Sequence, residues 1–172
     1  SQSDVVYDAK PSKIRAWVWD IALDKSGRPV IAYTRLPEKM DHRYHVARWT
    51  GEAWQDVEVT PGGKWFPQTP EGKDEKEPYY SGGIMLDHGD INVIYTSRPI
   101  NGIFEIERWT SRDDGKTWTA TPVTKDSQKN NVRPVIPRGF DKASPYVLWM
   151  HGDYIHYTNY QTDIRLGLLE KQ

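Results

Sequence analysis

Apolar and polar positions alternate with a period of two in short runs along most of the chain. In Arg43-Tyr44-His45-Val46-Ala47-Arg48-Trp49, successive side chains fall on opposite faces of an extended segment. Turn-forming clusters separate such runs: Lys25-Ser26-Gly27, Thr50-Gly51-Glu52, His88-Gly89-Asp90 and Asp113-Asp114-Gly115. No stretch of useful length carries the helical period of about 3.6 residues. The pattern predicts an all-β chain.

The runs repeat as larger units. RAWVWDIALDKSGRPVIAYTR (15–35) and PYYSGGIMLDHGDINVIYTSR (78–98) each hold a strand ending in Leu-Asp, a polar turn, and a strand ending in Tyr-Thr and Arg. Ala47-Arg48-Trp49-Thr50 with Trp54 is echoed by Glu107-Arg108-Trp109-Thr110 with Trp118, and a weaker third copy runs over 132–152. Each copy divides into four short strands: 14–23, 29–35, 43–49 and 53–60, then 79–87, 91–98, 103–110 and 117–123, then 131–138, 145–151, 153–160 and 163–169. Four strands per unit of roughly 40 to 60 residues is the signature of a propeller blade. The expected architecture is three four-stranded antiparallel blades (14–60, 79–123 and 131–169), so that residues 1–172 form part of a β-propeller, with a long inter-blade loop over 61–78.

Three blades make an open arc with uncovered sheet faces, and such faces are ordinarily covered by ring closure. The expected partners therefore include further N-terminal blades or a completing chain.

Composition narrows the function. With 23 Lys+Arg against 24 Asp+Glu, nothing draws the chain to nucleic acid or to an anionic membrane, and no run reaches the ~20 apolar residues of a helical membrane span. The absence of cysteine excludes a disulfide scaffold, thiolate-bound zinc and a cysteine nucleophile. Eight Trp and ten Tyr stand against three Phe, and Trp and Tyr suit both large sheets and sugar rings.

Ser111-Arg112-Asp113-Asp114-Gly115-Lys116-Thr117-Trp118 fits the Asp-box pattern S-x-D-x-G-x-T-W. The aspartate accepts backbone N–H groups across a hairpin turn, the glycine permits the reversal, and the tryptophan packs beneath. This marks the fold, away from any chemistry. With DHRYHVARWTGEAW (41–54), YYSGGIMLDHGDINVIYTSR (79–98), IERWTSRDDGKTW (106–118) and NVRPVIPRG (131–139), the chain resembles the later blades of BNR-repeat propellers. These include ulvan lyases and enzymes that cleave rhamnose–glucuronate linkages. The resemblance implies a ring of about seven blades, secretion or periplasmic localisation in a bacterium, and an acidic polysaccharide or oligosaccharide as partner. The catalytic histidines and Tyr–Arg pair of those relatives lie in earlier blades, so their roles do not transfer.

Candidate site residues follow from where strand ends reach the propeller channel. Arg35 and Arg98 sit at equivalent places in two repeats and Arg133 opens the third. An arginine fork suits a uronate carboxylate, and it equally suits a salt bridge with a neighbouring acid. Among the five histidines, His42 and His151 are weak catalytic candidates. Tyr80, in Tyr79-Tyr80-Ser81-Gly82-Gly83, is a third, with glycines that let the backbone crowd the channel or a ligand. Tyr44 and Trp65 join the arginines as candidate sugar contacts. No histidine spacing makes a metal site. No cofactor is expected, and a structural divalent cation is left open.

The expected function is the C-terminal portion of a propeller enzyme degrading a rhamnose- and uronate-containing glycan, by β-elimination. The alternatives are an α-L-rhamnosidase-type hydrolase and a noncatalytic glycan-binding module.

Overall fold

The computed structural model describes residues 4–64, 82–156 and 158–169. Apart from one helical turn, α1 (Ala9–Ser12), capped by the Asp8 carboxylate, its regular structure is β. Sheet 1 takes β1 (Arg15–Leu23), β2 (Pro29–Glu38), β3 (Asp41–Trp49) and β4 (Trp54–Gly63) in sequence order. Sheet 2 takes β5 (Ile84–Leu86), β6 (Val93–Ile100), β7 (Ile103–Thr110) and β8 (Thr119–Pro122). Sheet 3 takes β9 (Asn130–Val135), β10 (Tyr146–His156) and β11 (Asn159–Leu168). All pairings are antiparallel, and none of the described sheets closes into a barrel.

The repeat in the sequence reappears as a repeat in register. Val30 to Arg35 occupies the same place in sheet 1 as Val93 to Arg98 in sheet 2, with Arg35 opposite Arg43 and Arg98 opposite Glu105. The two Leu-Asp signatures do one job. Asp24 Oδ1 accepts the backbone N–H groups of Ser26 and Arg28, both at 2.8 Å, while Asp87 Oδ1 accepts that of Gly89 at 2.9 Å. Each carboxylate thus closes the turn between the first two strands of its sheet.

Period-two alternation turns one face of each sheet toward the next. Val30, Ala32, Tyr44 and Val46 of sheet 1 pack on Ile84, Leu86, Ile94 and Trp109 of sheet 2. Val93, Tyr95 and Ile106 on the other face of sheet 2 meet Ile136, Val147 and Trp149. Each buried aliphatic side chain stabilises the stack by roughly 1.5–3 kcal/mol. Polar links cross the same seams: Tyr44 Oη donates to Ser97 O at 2.9 Å, Ser97 Oγ to Asn131 O at 2.7 Å, and the Ser144 amide to Asp87 at 2.7 Å. The leading strands adjoin, β1 with β5 and β5 with β9. The three sheets therefore converge at their inner edges.

The third unit departs from expectation. The break expected between 151 and 153 does not exist, and β10 runs unbroken for 11 residues, leaving sheet 3 with three strands. Gly152 causes this. It pairs with Thr162 inside the ladder at φ 144°, and a Cβ there would lie 2.3 Å from Gln161 O. A glycine that reads as a turn is in fact the residue that lets two strands approach closely. The loop expected to begin at 61 begins later, because β4 continues through Gly63. The rest of that loop from Trp65 onward lies outside the described residues, as do Tyr79 and Tyr80 at the start of the strand expected over 79–87.

The two outer faces of the stack stay open. On sheet 1, Val18, Ile21 and Leu23 are 63%, 55% and 60% exposed, and on sheet 3 Ile164, Leu166 and Leu168 are 70%, 59% and 75% exposed.

Candidate functional site

The converging inner edges form a cleft of about 270 Å³, lined by Trp17 and Trp19 of β1, Gly82, Gly83 and Met85 at β5, and Arg133, Pro134 and Val135 of β9. Two irregularities shape it. The β1–β2 register shifts between Val18 and Asp20, so Trp19 is an extra residue in a bulge and turns out of the plain alternation. The β9–β10 register shifts likewise, setting Arg133 and Pro134 against a single facing residue, with Arg133 held at φ 56°. A non-glycine residue in that region is strained, and the exposed Arg133 side chain borders the cleft with its guanidinium carbon 5.4 Å from the centre of the Tyr154 ring.

Gly82 and Gly83 fill the role read from the sequence, because the backbone does crowd this edge. Gly83 lies flat on the indole of Trp19, where a Cβ would meet the ring at 3.4 Å. The Gly82 carbonyl accepts the Arg133 N–H at 3.3 Å, tying sheet 2 to the β9 bulge. Trp17 is 46% exposed. A half-exposed indole beside an arginine side chain can take the C–H face of a sugar ring and a carboxylate together.

Of the candidate catalytic and sugar-binding side chains named from the sequence, Arg133 alone among the described ones lines this cleft. Arg35 and Arg98 end in pairs within their own sheets. Arg35 bonds Asp56 and the Tyr33 hydroxyl, and stacks on Tyr7 with its guanidinium carbon 4.1 Å from the ring centre. Arg98 grips Glu107 with two bonds of 2.6 and 3.1 Å. Tyr44 is fully buried in the first seam, and burial pushes its phenol pKa up. His42 is buried against Tyr44, with ring centres 5.1 Å apart and Nδ1 3.0 Å from Lys64 O. Burial lowers its pKa to about 4. His151 shares the Asn131 side-chain oxygen with Trp149 Nε1, each at 2.8 Å, and is also lowered by burial. Trp65 and Tyr80 fall outside the described residues.

Sequence reasoning missed Trp17 and Trp19 as site residues. The signal was Trp17-Val18-Trp19 on an inner strand, which plain alternation places on one face without revealing the bulge. It also missed a cluster drawn from all three units. The buried Asp20 carboxylate accepts the Leu86 amide and faces His88 Nε2, both at 3.1 Å, with Arg138 3.8 Å away. Among the described residues no three His, Asp or Glu side chains converge as ligands for a metal ion.

The turn from Ser111 to Trp118 has the hydrogen bonds its sequence called for. Asp113 accepts the Thr117 amide at 2.8 Å and the Thr117 hydroxyl at 2.6 Å, which lowers its pKa to about 2. It sits at the far end of the sheets from the cleft's Trp17, among the β3–β4 and β7–β8 turns.

Residues 1–61, which run from the N-terminus into β4, match a known family described as BNR repeat-containing family member. That match supports a BNR-repeat relationship for about a third of the chain, the part that builds sheet 1. BNR repeats occur both in glycan-acting enzymes and in binding modules. No curated protein and no solved structure matches the chain.

Proposed function

We propose that the chain forms blades of a glycan-acting propeller and that it contributes a binding site for an acidic saccharide at its inner edge. The observation that carries this reading is that the half-exposed Trp17 and the exposed Arg133 line one cleft. Trp17 stacks on the sugar ring and Arg133 engages a uronate carboxylate. His42 and His45 are buried and do not line the cleft, so this reading assigns the cleft substrate binding and orientation.

Where the ring is completed by further blades, the favoured chemistry is β-elimination on a rhamnose- and uronate-containing glycan. Arg133 then neutralises the carboxylate and so acidifies the adjacent C–H, while the proton acceptor comes from outside the described residues. Rhamnosyl hydrolysis and pure binding are the competing outcomes, and such a protein would act outside the cytoplasm.

Calorimetric titration with an acidic oligosaccharide tests the site. Trp17→Ala and Arg133→Ala should each weaken binding at least tenfold, and Arg133→Ala should lose discrimination against the neutral, carboxyl-reduced sugar. Unchanged affinity in both variants would remove the cleft from consideration. Product mass then separates the chemistries, since elimination leaves an unsaturated uronate and hydrolysis adds water.

A further inference from the structure

The repeat makes a seam in sheet 1 comparable with its counterpart in sheet 2. Arg48 and Arg108 occupy the same place in the Arg-Trp-Thr echo, and both point from the third strand toward the following sheet. Arg48 has acceptors for both terminal nitrogens, while its Nε, like that of Arg108, is buried without a partner. Its terminal nitrogens donate to Asn92 Oδ1 at 2.9 Å and Ile91 O at 2.6 Å, and its guanidinium lies 5.6 Å from the centre of Trp118. The turn of sheet 2 thus supplies the acceptors that the arginine of sheet 1 needs.

Arg108 has no such provision. Its Nε is buried without a partner, and its guanidinium faces the Tyr95 hydroxyl where Arg48 faces a carbonyl and an amide oxygen. The segment of unit 3 that faces it brings Lys142 where acceptors would be expected. Arg108, Arg112 and Lys142 line one cavity of about 630 Å³ with the hydroxyl-bearing Thr110, Ser111 and Ser144. No carboxylate pairs with any of the three cations among the described residues. The one acid lining it, Asp90, already caps the Asn92 amide at 3.0 Å. Buried donors that lack an acceptor are costly and rare in folded proteins.

We propose that this seam between sheets 2 and 3 is a binding site for a tetrahedral oxyanion, a sulfate or phosphate group. Four acceptor oxygens match an arginine fork and two further cations better than the two oxygens of a carboxylate do. The site is separate from the inner-edge cleft and does not rest on the function assigned to that cleft.

Titration calorimetry of the full chain with inorganic sulfate and inorganic phosphate, at fixed ionic strength set by chloride, tests it. The wild type should bind one of these anions. Arg112→Ala combined with Lys142→Ala, both exposed positions, should weaken binding at least tenfold, and Arg108→Met should weaken it further. Trp17→Ala should leave it unchanged, which separates this site from the cleft. Should Arg108→Met fail to fold by circular dichroism, the double variant decides alone. A sulfated disaccharide binding tenfold more tightly than inorganic sulfate would assign the group to a glycan ester, and equal affinity would assign it to the free ion. Absence of anion binding by the wild type, or equal affinity in the double variant, would overturn the proposal.

Discussion

Single side chains decide how the first seam holds. Tyr44 is fully buried and its hydroxyl is the donor to Ser97 O. Tyr44→Phe would keep the ring and strand that carbonyl, so the loss should be about 1–3 kcal/mol in a denaturant titration. His42 adds a pH dependence. Its pKa of about 4 in the folded chain lies below the ordinary imidazole value of 6.5, so the unfolded chain binds the proton more readily. Stability from keeping His42 neutral is complete above about pH 6.5, falls as pH drops toward 4, and levels off below. The expected loss is on the order of 3 kcal/mol across that window. Comparing unfolding midpoints at pH 7 and pH 5 in the wild type and in His42→Gln would check it, with a smaller difference expected in the variant.

At the level of strands and turns, much was legible. Alternation and turn chemistry located the strands of sheets 1 and 2 to within a few residues, although β6 is buried on both faces and β8 on neither. Leu23-Asp24 and Leu86-Asp87 announced equivalent turns because a carboxylate that caps a turn must sit at a fixed offset from it. Gly152 misled for a physical reason: sequence does not say whether a glycine serves a reversal or a close approach between paired strands. The site was harder to read. Arg133 was visible as a strand-end cation, but Trp17 and Trp19 gain their place from a bulge, and a bulge depends on the partner strand. Arg35 and Arg98 looked identical to Arg133 until the strands beside them supplied Asp56 and Glu107. The Ser111–Trp118 turn offers a test at this scale. Asp113→Ala removes its bonds to Thr117 and should lower the unfolding midpoint while leaving oligosaccharide affinity unchanged. A parallel loss of binding would place that turn in the site.

For the molecule as a whole, the open faces at either end of the stack dominate. Ile164, Leu166 and Leu168 stand in a row on one side of β11, and contiguous exposed apolar surface of this kind drives association. Leu166→Glu places a charge in the middle of that row. Light scattering across a concentration series should show less self-association in this variant than in the wild type, with the fold retained by circular dichroism. Equal scattering would mean that another surface governs association.

Asp20 has a consequence for the order in which the chain is made. Its carboxylate belongs to β1 and accepts the Ile21 amide there at 2.9 Å, while its other partners come from residues 86, 88 and 138. During synthesis, N-terminal segments emerge first, so this side chain is made before the turn of sheet 2 and the part of unit 3 that complete its shell.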